Sequence, residues 1–236
     1  MNLKSTCLFT AAALAGVSIA SAAPVPLQQA TATFTQNFGG GVDNSIDGLT
    51  STDANGWAIH DGTANPTSAQ TAAYETVTDA VFNSYAFTLF NDSDANLQHT
   101  IGKFRLSVTT DDRTLFADGL DTGGDVTANW IELTPSTATA TNGATLTING
   151  DNTILASGTN PNVSTYTITA TSSLLNVTGF RLETFEDRTL TPNAGPGRSN
   201  NGNFILTEFQ VDAVPEPASL GLLGLGAGAL LLRRRR

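Results

Sequence analysis

Hydrophobic and polar residues alternate through most of the chain between residues 30 and 211. In the clearest run, polar residues separate Phe104, Leu106 and Val108, so a strand would place these three side chains on one face. β-Branched and aromatic residues dominate such runs, and Gly, Asn, Asp and Pro bound them, which is typical of strands. The predicted strands span residues 30–38, 73–77, 85–90, 103–109, 128–133, 144–148, 164–169, 179–185 and 204–211.

Outside the two ends of the chain, no stretch carries hydrophobic residues at helical spacing. Many short strands separated by turns predict an all-β fold, an antiparallel β-sandwich of the jelly-roll type. Two sheets packed on each other would bury the aromatic face of each strand and leave the acidic face in solvent. We place the sandwich at residues 34–212, after a loosely ordered N-terminus and first strand at 24–33. Residues 136–143, rich in Thr and Ala, fit either a loop or an edge strand.

The N-terminus has the three parts of a secretory signal peptide, which we assign to residues 1–23. Lys4 supplies a positive start, residues 8–20 are apolar, and small residues at 20–22 favour cleavage. We expect a signal helix that signal peptidase removes after residue 22 or 23. The single cysteine, Cys7, lies inside this segment, so the exported body would have no disulfide.

The C-terminal segment, residues 213–236, also has three parts. Val-Pro-Glu-Pro at 214–217 should stay extended, because each proline fixes φ and lacks an amide proton. Residues 218–232 are apolar and uncharged, and as a hydrophobic helix they would be about 22 Å long. A bilayer core is about 30 Å thick, so this transmembrane run is short for a permanent span. The arginines at 233–236 should stay on the cytoplasmic side of the membrane.

This arrangement resembles the PEP-CTERM sorting signal of Gram-negative bacteria. The residues that carry the resemblance at the two ends of the segment are Val214, Pro215, Glu216, Pro217, Arg233, Arg234, Arg235 and Arg236. The resemblance implies that an exosortase, a transpeptidase-like enzyme of the inner membrane, removes the tail near the prolines. The body would then reach the cell surface or the extracellular polysaccharide matrix. The alternative is an ordinary short C-terminal anchor.

The charge balance of the chain is strongly acidic. Asp and Glu number 21 against 11 Lys and Arg, and the net charge is −10. Lys4 and the terminal arginines belong to the two signals, so the body itself is even more acidic. Such a surface repels nucleic acid, whose binding requires a cationic footprint. It is compatible with divalent cations and with neutral sugars.

Two blocks of the body resemble discoidin-like, galactose-binding-like domains and β-sandwich modules of large secreted bacterial proteins. The first block is Ser-Ile-Asp-Gly at 45–48 followed by Gly-Trp-Ala-Ile at 56–59. The second is Gly-Pro-Gly-Arg-Ser-Asn-Asn-Gly-Asn-Phe at 195–204, which runs into the last predicted strand. The resemblance spans about residues 34–211 and implies the jelly-roll sandwich.

Sugar binding is the more specific hypothesis for this body. Trp57 and Trp130 offer flat apolar rings for a sugar face, and Arg198 offers a fork of donors for hydroxyl groups. The residues considered for ligand contact are Trp57, Trp130, Arg198, Asn200, Asn201 and Asn203. The alternative is structural: Trp57 would fill the core behind a loop, and the Gly-Pro-Gly corner would only set the backbone.

The galactose-binding-like resemblance also implies a structural calcium ion between the first loop and the final strand. Asp43, Asp47 and Asp53 lie in that loop, and Glu208 lies on the strand. Calcium takes six to eight oxygen ligands, part of which these carboxylates could supply. No EF-hand spacing is present, and aspartates exposed in turns are the alternative.

The sequence offers little for catalysis. His60 and His99 are the only histidines, and neither HExxH, CxxC nor Gly-x-Ser-x-Gly occurs. Adjacent carboxylates such as Glu186 and Asp187 point to opposite faces of a strand and do not form a glycosidase pair alone. We therefore expect a non-enzymatic surface or matrix protein that binds polysaccharide. The alternatives are a structural matrix protein without a ligand, and a secreted glycosidase or lyase with carboxylates opposed across a cleft.

One stretch of sequence occurs twice. Phe-Arg-Leu-Ser-Val-Thr-Thr-Asp-Asp-Arg-Thr-Leu at 104–115 is echoed by Phe-Arg-Leu-Glu-Thr-Phe-Glu-Asp-Arg-Thr-Leu at 180–190. Two equivalent strand-plus-turn units, each ending one half of the sandwich, would explain the echo. A chance likeness between two strands is the alternative, since a single repeat does not define a solenoid.

Overall fold

The structure is a computed structural model that describes residues 22–36, 41–51, 56–62, 67–190 and 195–215. Ala22–Pro215 is one compact unit of the chain. The predicted signal helix and C-terminal hydrophobic helix lie outside the described residues. Among the residues that are described, no helix has the length and hydropathy to cross a membrane.

Strands make up almost all of the regular structure in the described residues. They are β1 (Ala23–Pro24), β2 (Leu27–Ala32), β3 (Trp57–Ala58), β4 (Thr71–Ala80), β5 (Ser84–Asn91), β6 (Lys103–Thr109), β7 (Ile131–Glu132), β8 (Thr134–Ala140), β9 (Ala144–Ile148), β10 (Ile154–Gly158), β11 (Ser164–Thr171), β12 (Val177–Thr184), β13 (Ile205–Leu206) and β14 (Glu208–Ala213). Two short 3-10 helices span Val42–Ser45 and Arg113–Leu115. The all-β prediction is therefore confirmed for the body.

The strands form two large antiparallel sheets, and β3 and β13 pair in a small third sheet. The five-stranded sheet has the order β1-β14-β5-β11-β8, and the seven-stranded sheet has the order β2-β4-β12-β6-β10-β9, with β7 also paired to β6. From β4 to β6 and again from β10 to β12, successive strands cross from one sheet to the other. Repeated crossing between two packed sheets is the jelly-roll arrangement that the sequence predicts.

The core lies between the sheets and is rich in aromatic rings. Phe87 of β5 meets Phe180 of β12 edge-on at 5.5 Å between ring centroids. Tyr74 and Phe209 stack at 4.4 Å. Burial of one such side chain contributes about 1.5–3 kcal/mol. The alternating pattern predicted these faces correctly, since buried and half-buried residues alternate along β5.

The N-terminal residues of the body differ from the sequence prediction. Residues 24–33 were expected to begin with a loose segment, but Ala23–Pro24 pairs with β14 and Leu27–Ala32 pairs with β4. Val25 is buried, and its N–H donates to Val211 O at 2.8 Å. The physical reason is that β14 would otherwise be an open edge with unpaired backbone groups.

The two copies of the repeated sequence lie side by side. β6 and β12 are antiparallel neighbours, with Leu106 opposite Leu182 and Arg105 opposite Glu183. The prediction that each copy ends a separate half of the sandwich is therefore wrong, because both belong to the seven-stranded sheet. The turns after the strands are alike: Asp112 accepts hydrogen bonds from the N–H and hydroxyl of Thr114, and Asp187 does the same for Thr189.

Candidate functional site

Trp57 is a core residue. Its side chain is 0 % exposed, its ring lies edge-on to Phe204 at 5.1 Å, and its Nε1 donates to Phe34 O at 3.0 Å. A ring without exposed surface cannot stack on a sugar, so the prediction of ligand contact by Trp57 is corrected. The structural alternative from the sequence, a tryptophan that fills the core, describes its position.

Trp130 belongs to a separate hydrophobic cluster on the outer face of the seven-stranded sheet, which contains Ala73 and Phe116. Its ring packs edge-on against Phe116 at 5.3 Å, and the guanidinium of Arg181 sits over it at 5.1 Å. Its Nε1 donates to Val126 O at 2.8 Å. The ring is only partly exposed, and a cation already covers one of its faces. The structure therefore does not bring the two tryptophans together.

The cation over Trp130 belongs to an ion-pair network. Arg181 and Arg105 both contact Oε2 of Glu183 at 3.0 Å, and Arg105 also pairs with Glu132. Arg105 is placed directly opposite Glu183 by the β6–β12 register. Each carboxylate of the network is thus held by an arginine, which differs from the two opposed carboxyl groups that a glycosidase uses.

The loop at 195–204 forms a tight corner at one end of the sandwich. A side chain at Gly195 would collide with the backbone of Gly202, and one at Gly197 would collide with the carbonyl of Asn203. Gly197 N–H donates to Gly202 O at 2.8 Å. Glycine is therefore required by close backbone approach, and this part of the sequence-based interpretation is confirmed.

Arg198 holds this corner to a neighbouring loop. Its side chain is buried, with Nη1 donating to Thr159 O at 3.0 Å and Nη2 donating to Gly158 O at 2.8 Å. These guanidinium donors face protein carbonyls and not solvent. The predicted role of Arg198 as a fork for sugar hydroxyl groups is therefore corrected to a structural one.

The three asparagines of the corner have different surroundings. Asn203 is buried, accepts from Ile59 N–H at 2.9 Å and donates to Gln36 at 3.0 Å, so it joins two loops. Asn201 is half-buried and accepts from Asn203 N–H at 3.1 Å. Asn200 is exposed at the tip. Of the predicted asparagines, Asn200 and Asn201 can be reached from solvent.

A cavity of about 280 Å³ opens beside these two asparagines. Its walls are Leu97, Gln98, His99, Arg198, Ser199, Asn200 and Asn201. Leu97 is 48 % exposed and supplies an apolar patch, while the amides and the imidazole supply donors and acceptors. A concave site with a few polar groups and an apolar wall is the usual form of a small-ligand site.

Asn160 positions both walls of the cavity. Its Nδ2 donates to Gln98 O at 3.0 Å and to Arg198 O at 2.9 Å, and its Oδ1 accepts from Thr100 at 3.0 Å. Gln98 has a φ of 66°, which a residue other than glycine seldom adopts. Such backbone geometry persists where the surrounding contacts enforce it, and it is frequent at functional sites.

Sequence reasoning missed the wall formed by residues 97–99. Within this wall, Nδ1 of His99 lies 3.0 Å from Leu97 O. The only available signal was a cluster of polar and turn-forming residues between β5 and β6. His60, on the other loop, accepts from Gly62 N–H at 3.1 Å and lies outside this cavity.

The acidic loop does approach the final strand, as the calcium prediction requires. Gly48 N–H donates to Oε2 of Glu208 at 3.1 Å. Burial raises the pKa of Glu208, and the negative charge of Asp47 raises it further against the opposing hydrogen bond from Gly48. Asp43 already accepts a hydrogen bond through its Oδ1, from Ala30 N–H at 2.9 Å.

The carboxylates described in this region do not by themselves make a metal centre. No group of three or more His, Cys, Asp or Glu side chains converges on one point among the described residues. Asp53 lies outside those residues. One oxygen of Asp47 also accepts from Leu49 N–H at 2.8 Å. Calcium binding by Asp43, Asp47, Asp53 and Glu208 therefore stays a prediction.

The start of the C-terminal segment adjoins the last strand directly. Val214 follows Ala213, the final residue of β14, and its N–H donates to Ser84 O at 2.9 Å. Pro215 is the last described residue, while Glu216, Pro217 and Arg233, Arg234, Arg235 and Arg236 lie outside the described part of the chain. The body thus leads into the motif without an intervening linker.

Comparisons with known proteins bear on both parts of the chain. Residues 213–236 match the family described as the PEP-CTERM protein-sorting motif. The predicted motif is therefore confirmed, and the chain carries a C-terminal signal of the kind that exosortases process. No curated protein matches the chain.

Three solved structures similar to the chain contain carbohydrate-binding modules. One is CpGH89CBM32-5 from Clostridium perfringens, in complex with GalNAc-beta-1,3-galactose, with 18% identity, a TM-score of 0.42, and coverage of 80% of this chain and 99% of that one. The structure of the CBM32-1 and CBM32-2 domains of Clostridium perfringens ZmpB has 6% identity and a TM-score of 0.43, with coverage of 81% of this chain and 36% of that one. The family 32 carbohydrate-binding module of Streptococcus pneumoniae EndoD has 11% identity and a TM-score of 0.41, with coverage of 80% of this chain and 98% of that one. No ligand or residue role is carried over from them.

Proposed function

We propose that this chain is an exported, non-catalytic protein that exosortase delivers to the cell surface or extracellular matrix, where its β-sandwich binds a neutral saccharide. The observation that carries the delivery is the PEP-CTERM match at residues 213–236, which begins where β14 ends. The N-terminal signal at residues 1–23 supports export across the inner membrane by the same route.

The saccharide part of the proposal is supported by the cavity beside the 195–204 corner. Leu97 gives an apolar wall, and His99, Asn200 and Asn201 give donors and acceptors for hydroxyl groups. Arg198, the arginine of this wall, donates guanidinium hydrogen bonds to the carbonyls of a neighbouring loop. A neutral sugar therefore fits this cavity better than an acidic one.

The ion pairs of two carboxylates near the outer sheet face support a non-catalytic role. Glu183 and Glu132 are both paired with Arg105, and Glu183 also contacts Arg181. Both carboxylates are thus already engaged by arginine side chains, whereas a glycosidase holds two opposed carboxyl groups toward its substrate. Hydrolysis of a polysaccharide by the purified protein, lost in Glu183→Gln, would favour the glycosidase alternative.

Cell fractionation tests the delivery. In a host with exosortase, we expect a shortened protein at the surface or in the medium. In a host without exosortase, and for Pro215→Ala/Pro217→Ala in the normal host, we expect a longer form in the inner membrane. Pro161→Ala, in a loop of the body, is the control. An intact chain free in the cytosol, uncut at both ends, would contradict the proposal.

Glycan-array binding tests the cavity. We expect His99→Ala/Asn200→Ala to lose binding to the neutral glycan that the wild-type protein selects, with an unchanged melting temperature. Ser173→Ala, at an exposed position before β12, should bind as the wild type does. A protein that binds no glycan on the array would instead fit a structural matrix protein without a specific ligand.

A further inference from the structure

The outer face of the five-stranded sheet carries a regular array of threonines. Tyr166 and Ile168 of β11 point into the core, so the alternate residues Thr167 and Thr169 point outward. The register extends each of them across the neighbouring strands. The two resulting rows are Thr88, Thr167 and Thr139, and Ala86, Thr169 and Thr137. These six residues are called the threonine face below.

Sheet geometry fixes the spacing of this array. Neighbouring rows along a strand are about 6.6–6.8 Å apart, and neighbouring strands are about 4.7–4.9 Å apart. Thr137, Thr139 and Thr167 are exposed, and Thr88 and Thr169 are half-buried. Within the described part of the chain, none of these five hydroxyl groups has a hydrogen-bond partner in the protein. Each one is thus available as a donor and as an acceptor.

The six residues of the threonine face are uncharged, and the nearest charge in their rows is Asp212 of β14, which lies opposite Ala86, although the chain as a whole carries a net charge of −10. β5, β8 and β11 contain no charged residue, and Asp151 is the only charged residue between Glu132 and Arg181. An acidic polymer approaching the body is repelled by the remaining surface. A neutral polymer meets no such barrier here and finds hydroxyl groups at a fixed repeat.

We infer that the threonine face is a second binding surface, which holds a neutral polysaccharide chain lying across the sheet. The inference rests on the proposed function for delivery into a polysaccharide matrix, but not on the loop cavity. A hydroxyl–hydroxyl contact that replaces contacts with water contributes little net free energy. The surface therefore needs many simultaneous contacts, which a polymer provides and a short sugar does not.

A second copy of this chain is a weaker candidate for the same face. Stable interfaces between protein subunits have an apolar, closely packed centre rich in aromatic side chains. The threonine face presents hydroxyl and methyl groups without a large apolar side chain among its six residues. Its six residues include no aromatic ring that could stack on a single sugar ring, and Phe90, the next residue of β5 on this side, is half-buried.

Retention on microcrystalline cellulose, a neutral β-1,4-glucan, and on chitin tests this inference with the full-length protein in mild detergent. We expect retention of the wild type on at least one solid, little competition by cellobiose or chitobiose, and no retention on alginate beads. Thr137→Val/Thr139→Val/Thr167→Val/Thr169→Val should reduce retention at least 5-fold, since valine keeps the β-branched shape and removes the hydroxyl. Thr145→Val/Thr147→Val on β9 is the matched control, and circular dichroism verifies the fold of each variant.

The outcomes separate this surface from the loop cavity. Loss of retention in the four-valine variant but not in His99→Ala/Asn200→Ala supports the threonine face. The reverse result overturns it and leaves the proposed function in place. Absence of wild-type retention on both solids also overturns it. So does a result in which the wild type binds no polymer and sediments as a dimer, while the valine variant sediments as a monomer.

Discussion

Ala23 lies directly opposite Ala213 in the β1–β14 pair. The first residues after the expected signal-peptide cleavage and the last residues before the sorting motif therefore belong to one ladder. Val25 continues the contact through its backbone bond to Val211. The chain segments that lead to the two expected cleavage positions therefore lie next to each other, at one edge of the five-stranded sheet.

This pairing predicts that the N-terminal residues stabilise the mature body. A form beginning at Leu27 loses β1 and the buried side chain of Val25 and leaves β14 with an open edge. We expect its free energy of unfolding to fall by about 1–3 kcal/mol relative to a form beginning at Ala23. Urea denaturation measures the difference. Val81→Ala, at a 58 % exposed position, is the control and should change little.

The two tryptophans should behave differently when they are removed. Trp57→Ala leaves a large cavity in the core, so we expect a loss of about 3–5 kcal/mol in unfolding free energy. Trp130→Ala removes a partly exposed ring, and we expect about 1 kcal/mol. Thermal and urea unfolding monitored by circular dichroism give both values. Equal costs for the two variants would contradict the different burial of the rings.

Glu208 predicts a dependence of stability on pH. Burial raises the pKa of Glu208 above the ordinary 4.5. Between pH 4.5 and this raised pKa, the folded state therefore holds a proton that the unfolded chain has released. The free energy of unfolding therefore falls as pH rises through this range. Glu208→Gln removes the contribution. We expect the melting temperature of the variant, relative to the wild type, to increase from pH 4 to pH 7.

These melting curves are recorded in EDTA, so that no divalent ion contributes. A difference between variant and wild type that is constant over the pH range would refute the role assigned to Glu208. The glutamine can still accept the hydrogen bond from Gly48, so the substitution changes charge more than packing.

Calcium makes a separate prediction through Asp43, Asp47, Asp53 and Glu208. An ion that binds only the folded state stabilises it by about 2.7 kcal/mol at 100 times its dissociation constant. We expect the melting temperature to rise with calcium and to fall with chelator, and this response to be lost in Asp47→Asn. Asp94→Asn, in another exposed loop, is the control. An unchanged melting temperature with calcium and with chelator would contradict the predicted calcium site.

The strands with one buried face could be predicted well from sequence, because alternation records that face directly. Tyr85, Phe87 and Leu89 of β5 are an example, and all three are buried. β10 escaped prediction because its buried residues Ile154 and Ala156 flank Leu155, and three apolar residues in succession show no alternation. The N-terminal strand escaped because its short pairing depends on β14, at the other end of the body.

The candidate site could be predicted only in part, since it is built from loops that meet through distant contacts. The corner containing Asn200 was found because its glycines and asparagines are conspicuous in sequence. The opposite wall of the cavity, at His99, could not be predicted. Asn160 joins the two walls by hydrogen bonds, and nothing in the local sequence indicates this role. Trp57 was misassigned because a tryptophan in a loop can face solvent or core, and only the position of Phe204 decides.

The direction of β14 has a consequence for the anchored protein. β14 begins at Glu208, shortly after the corner that lines the cavity, and ends at Ala213, where the chain leaves toward the sorting motif. At about 3.4 Å per residue, this strand separates its two ends by roughly 17 Å. A body attached through its C-terminus would therefore hold the cavity on its distal side, away from the attachment point and accessible to polymers in the surroundings.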